Sequence, residues 1–278
     1  MRENVLLRYG LSFLIALPIG FLLLYPHVLR CMWVSRSDEF ALLAGVQPDA
    51  PSSSGPVYVS QSATPGQQAQ LRQHVSAARN RIRRFWSGER RGRATLIYCP
   101  DQADYERYCA GGEGAGCSLG TPWGASYLVL GPEGNNTDVI AHELCHDELF
   151  ARLGWWTVKR QIPQWFNEGL ALMVDYRFTD PDTWERPDSL RTEFDDAYAD
   201  LPSHYGPMIK LSELESTRDF FGGDYQHVML AYQTAAAEVS RWLAVVGLRG
   251  VPALIQAVEN GDPFYEEYRR LERARRKR

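Results

Sequence analysis

The stretch TDVIAHELCHDELF, residues 137–150, decides how the rest of this 278-residue chain is read. Val139, Ile140, Leu144 and Leu149 recur at helical spacing, which predicts an amphipathic helix from about Thr137 to Leu153. Asn135 and Asn136 stand in front of it as capping residues. On that helix His142 and His146 are four residues apart, so they differ by about 40° in direction and about 6 Å in height. Both imidazoles can then meet one ion about 2 Å from each ligating nitrogen. Glu143, beside the first of them, reaches water held by such an ion and can take its proton as the water attacks a carbonyl. Two histidines and a glutamate buried on one stripe need partners, and a metal supplies them. Cys145 lies off the line through the histidines and reads as helix packing.

A catalytic zinc site needs a third protein ligand. PQWFNEGLALMVDY, residues 163–176, offers Glu168 on a second helix running from near Pro163 to about Tyr176. Proline suits the first turn of that helix. The pairing of HELCH with this downstream WFNEGLA resembles the gluzincin metallopeptidases, among them the small peptidase MA-like proteins and the thermolysin-like and aminopeptidase-N-like enzymes. The resemblance covers roughly residues 125–175, and more loosely the helix 226–247. It implies a zincin-like α+β domain in which His142, His146 and Glu168 bind Zn²⁺ and Glu143 is the general base. It also implies that strand Ser126–Leu130, or TPWGA before it, is the sheet edge beside the cleft, where a substrate backbone could pair. Members of this group add a Tyr or His that stabilises the oxyanion. Tyr225, His227 and Tyr232 are the candidates, and Tyr232 is preferred. The spacing to Glu168 is slightly longer than in better-known members, and no GxMEN-like signature of aminopeptidases is present.

Outward from this core, Val57–Val59 predicts a first strand, 66–86 a helix, Ala94–Cys99 a second strand and Ser126–Leu130 a third. Asp101 is placed to cap a short helix that carries Tyr105 and Tyr108. Residues 177–205 are polar and irregular, and helices follow at about 226–246, 250–259 and 263–275. Strands and helices first, then helices alone, predict an α+β domain with a small mixed sheet and a helical C-terminal half.

The N-terminus has a different character. Tyr9 to Leu29 carries no formal charge and is long enough to cross a bilayer as a helix. Tyr25 follows its most apolar part, as interfacial aromatics do. A cleaved signal peptide would want a small-x-small site, which YPHVLRCMW lacks, and a buried soluble helix would show a polar face. The reading is therefore an uncleaved anchor within residues 1–36, a linker over 37–65 rich in Pro, Ser and Gly, and a metallopeptidase domain over 66–278. The anchor places the domain outside the cytoplasm, periplasmic or extracellular, with its N-terminus inside.

Composition fits a folded chain: 45% hydrophobic, 23% charged, net charge −4. Disorder is excluded, and no nucleic-acid partner is expected. The five cysteines leave at least one unpaired in a monomer. Cys109 and Cys117 flank a Gly-rich loop, which a disulfide could close in an oxidising compartment; inert thiols are the other reading. His74 and His204 read as surface or loop residues. The arginines between 79 and 93 and in the C-terminal tail read as solvated helix faces. The sequence thus points to a membrane-anchored zinc metallopeptidase acting on a peptide or protein substrate. A silent binding protein on the same fold and a zinc amidase are the alternatives.

Overall fold

A computed structural model describes residues 25–46, 54–109, 114–180 and 209–276, together with Gly20. The elements in chain order are α1 (Pro26–Trp33), β1 (Phe40–Leu42), β2 (Val57–Ser60), α2 (Pro65–Phe85), β3 (Thr95–Tyr98), α3 (Gln102–Tyr108), β4 (Gly116–Gly120) and β5 (Ser126–Leu130). They continue with α4 (Thr137–Gln161), α5 (Gln164–Leu172), α6 (Thr217–Phe221), α7 (Tyr225–Val246), α8 (Gly250–Glu259) and α9 (Phe264–Arg276). Of the expected anchor run Tyr9–Leu29, residues 9–19 and 21–24 lie outside the described residues, whereas Pro26–Leu29 begin α1 and Val28 is buried in the domain, so that end of the run is corrected from anchor to core. Among the described residues no single helix is long and apolar enough to cross a membrane.

The strands form one mixed sheet in the order β1-β2-β3-β5-β4. β2, β3 and β5 run parallel, and β1 and β4 close the two edges antiparallel. Alternation along the central strands serves two cores. Leu96, Tyr98, Leu128 and Leu130 face the large core with α2, α4 and the C-terminal helices. Ile97, Cys99, Tyr127 and Val129 face a smaller one completed by Val28 and Cys31 of α1 and Tyr105 and Tyr108 of α3. Burial on both faces explains why TLIY and SYLVL read as nearly continuous apolar runs.

The structure differs from the sequence reading in several places. Residues 40–42, within the expected linker, form an unexpected edge strand, while the strand expected at Val57–Val59 is seen as Val57–Ser60, so the sheet begins before residue 66. The edge strand is β4, whereas β5 is flanked on both sides, so the expected cleft edge at Ser126–Leu130 is corrected to Gly116–Gly120. GCSLG has little strand propensity and is held by its pairing with β5. The Cys109–Cys117 disulfide forms and ties α3 to that edge, while Cys31, Cys99 and Cys145 are buried free thiols.

The capping expected at α4 is seen: Asn136 accepts from the Asp138 amide. The helix departs from helical backbone at Gly154, whose φ is +75°, one residue after its expected end, and then resumes to Gln161. Its second polar stripe anchors a loop. Glu148 accepts hydrogen bonds from the Arg91 and Gly92 amides and pairs with Arg152, and Asp147 accepts from the Ala94 amide. These bonds fix how α4 is rotated, and so where its histidines point. Behind them α5 packs closely on α7. A Cβ added at Gly169 would lie 2.5 Å from the Ala235 carbonyl oxygen.

Replacing Gly169 by Ala is expected to destabilise the protein by about 1–3 kcal/mol, because backbone rather than a side-chain end must give way. Gly66→Ala in the first turn of α2, where a Cβ meets only the Thr64 hydroxyl at 3.9 Å, is expected to be neutral or mildly stabilising. Urea denaturation midpoints of the two variants check the contrast.

Candidate metal centre

His142 and His146 project from adjacent turns of α4 with their ring centroids 5.0 Å apart. α5 follows after a two-residue turn, Ile162 and Pro163, and brings Glu168 between them. Glu168 Oε2 lies 3.5 Å from His142 Nε2 and 3.6 Å from His146 Nε2. The three ligand atoms fall within 4.8 Å of one another, and all three residues are buried. Bonds of about 2.0–2.1 Å to a tetrahedral ion place neighbouring ligands roughly 3.4 Å apart, close to these spacings. They are too long for direct hydrogen bonds, so the donor set fits a shared divalent ion better than it fits its own members.

Each ligand is held from behind. His146 Nδ1 is 3.0 Å from Asn167 Oδ1, a bond that leaves Nε2 free to ligate. The Gln164 amide donates to Glu168 Oε1 at 2.7 Å. Asp175 Oδ2 stands 3.4 Å from His142 Nδ1 and is itself gripped by Arg177, whose Nε and Nη2 donate to the two carboxylate oxygens at 2.8 and 2.6 Å. Asp175 reaches this position because α5 ends at Leu172 rather than at the expected Tyr176. Tight turns follow, with the Met173, Val174 and Asp175 amides bonding to carbonyls three residues back. Arg81 of α2 stabilises that departure. Its Nη1 donates to the Val174 carbonyl at 2.7 Å and to Asp138 at 2.6 Å, and its guanidinium lies 3.6 Å from the Tyr176 ring centroid.

The charges at the site are strongly coupled. Burial would make His142 less basic, but Asp175 and Glu168 outweigh it and lift its pKa to about 10. Burial raises Glu143 to about 7, with His142 opposing and Glu168 and Asp175 reinforcing the rise. Glu168 is lowered despite its burial, because both histidines and Gln164 favour its charged form. Burial, helped by the charges of His142 and Lys159, holds His146 below its usual value against the pull of Glu168 and Asn167.

Glu143 reaches β4. A Cβ at Gly116 would lie 3.2 Å from its Cγ and 3.3 Å from its Oε1, so glycine makes room for the carboxylate at the sheet edge. Of the three oxyanion candidates, Tyr225 is 78% exposed. His227 Nε2 is engaged with the Asp219 carbonyl. Tyr232 packs on Phe220 and Phe221, and burial together with the charges of Glu168, Glu143 and Asp175 raises its phenol pKa. It is the candidate within the field of the site. Cys145 is buried away from the ligand atoms, as its position off the histidine line predicts. His74 bonds to Asn135, and His204 lies outside the described residues.

Gln164, Asn167, Asp175, Arg177 and Arg81 were not legible as site residues. Asn167 sits beside Glu168 in the quoted motif, and Asp175 lies seven residues beyond Glu168, a spacing that also returns to one helix face. No protein-family model matches the chain, and no curated protein matches it.

His142→Ala and Glu168→Ala are expected to abolish stoichiometric zinc binding. Asp175→Ala is expected to weaken it about 10–100-fold, and Arg81→Met to weaken it less but in the same direction. Chelator competition and elemental analysis of the purified variants measure both effects.

Proposed function

We propose that the protein is a zinc-dependent metallopeptidase of gluzincin type, anchored in a membrane by its N-terminal apolar run. The observation that carries the reading is the convergence of the buried His142 Nε2, His146 Nε2 and Glu168 Oε2, with a further buried carboxyl group, Glu143, that is not part of the triad. A site built only to store or sense a metal has no need of that extra acid.

Zinc, when bound, supplies Lewis acidity to a peptide carbonyl and to the attacking water. The chain's own groups do the rest. Glu143 accepts the proton of the attacking water and returns it to the leaving nitrogen. Tyr232 donates its phenol proton in a hydrogen bond to the oxygen that gains charge as the carbonyl becomes tetrahedral. The outer edge of β4, next to Glu143, offers backbone groups to an extended substrate. Asn167, Gln164 and Asp175 keep the ligands oriented, so the pocket is preorganised before substrate arrives.

Glu143→Gln is expected to retain stoichiometric zinc and to lower hydrolysis of a peptide library by about 10²–10⁴-fold. Tyr232→Phe is expected to lower kcat by about 10²–10³-fold with KM little changed. Purified protein without zinc, or a Glu143→Gln variant that cleaves peptides at the wild-type rate, would falsify the assignment.

A further inference from the structure

The apolar run expected over Tyr9–Leu29 overlaps α1 in sequence, and α1 is a fixed part of the domain. Its inner residues Val28 and Cys31 are buried in the smaller core. His27 Nδ1 is 3.2 Å from the Arg107 carbonyl, the Arg30 guanidinium donates to the same oxygen at 2.6 Å, and Cys31 Sγ contacts the Tyr108 carbonyl at 3.7 Å. These contacts join residues nearly eighty positions apart, so α1 cannot swing independently of the sheet.

The outer face of α1 has an unusual composition for a solvent-facing surface. Tyr25, Met32 and Trp33 are 50%, 41% and 55% exposed, and they alternate with the exposed cations Arg30 and Arg36. The Arg36 guanidinium stacks 4.5 Å over the Trp33 ring. From Tyr25 to Ser37 there is no Asp or Glu. Aromatic rings that sit at a headgroup boundary, with arginines that reach lipid phosphates, are what an anionic bilayer surface selects. Continuity of the sequence makes the same point: the stretch without formal charge that begins at Tyr9 runs up to Tyr25, the residue that precedes α1.

We propose that the outer face of α1 is seated in the headgroup layer of the membrane, so that the domain lies directly on the bilayer instead of hanging from a tether at 37–65. This rests on the anchor reading given above. The test reconstitutes the full chain into vesicles of phosphatidylglycerol and phosphatidylcholine, with and without bromine on the phosphatidylcholine acyl chains. The emission of wild type minus that of Trp33→Phe isolates Trp33. The expected result is a blue-shifted difference spectrum that is lost in brominated vesicles. If the protein floats with vesicles but Trp33 emission survives bromination, the placement is overturned and the anchor stands; a dimer by light scattering in detergent would then assign the face to a second copy. If the protein does not float with vesicles, the anchor reading falls, and the placement with it.

Discussion

Burying one carboxylate between two imidazoles is the requirement around which the helical half of this protein is arranged. Glu168 would be costly in the interior without partners, and it has His142, His146 and Gln164 around it. To bring them together the chain must reverse within Ile162 and Pro163. The backbone must also leave the helix at Met173, so that Asp175 returns to His142. These features place charge. Covering apolar surface alone would not call for any of them.

The same logic separates what could be read in the sequence from what could not. The ligands and Glu143 were legible because their chemistry depends on helical periodicity, which short-range spacing encodes. So were the helix 65–85 and the strands at 95–98 and 126–130, each marked by its own apolar pattern. β4 was not, because GCSLG takes its conformation from a neighbour rather than from its own residues. Asp175 was hidden by a helix that stops earlier than its apolar residues suggest, and the Val174 carbonyl just past the stop is bonded by Arg81, more than ninety residues away. Interactions at that separation leave no local signature.

The two faces of the sheet divide the labour. One supports α4 and the C-terminal helices, and the other carries α1 and α3. β4 belongs to both: its Gly116 borders Glu143, and its Cys117 is bonded to the end of α3. Whatever holds α1 in place therefore reaches the candidate cleft through a short, covalently fastened route.

The ligands His142, His146 and Glu168 lie on two helices that are consecutive in the chain, with a turn of two residues between them. Closing so short a loop costs little entropy, and contacts of this kind form rapidly during folding. The ligand triad can thus assemble on a helical hairpin before the sheet is complete, whereas the Arg81 brace on the segment bearing Asp175 must wait for α2 to dock. The three side chains would then come together first and be braced only once the whole domain has closed.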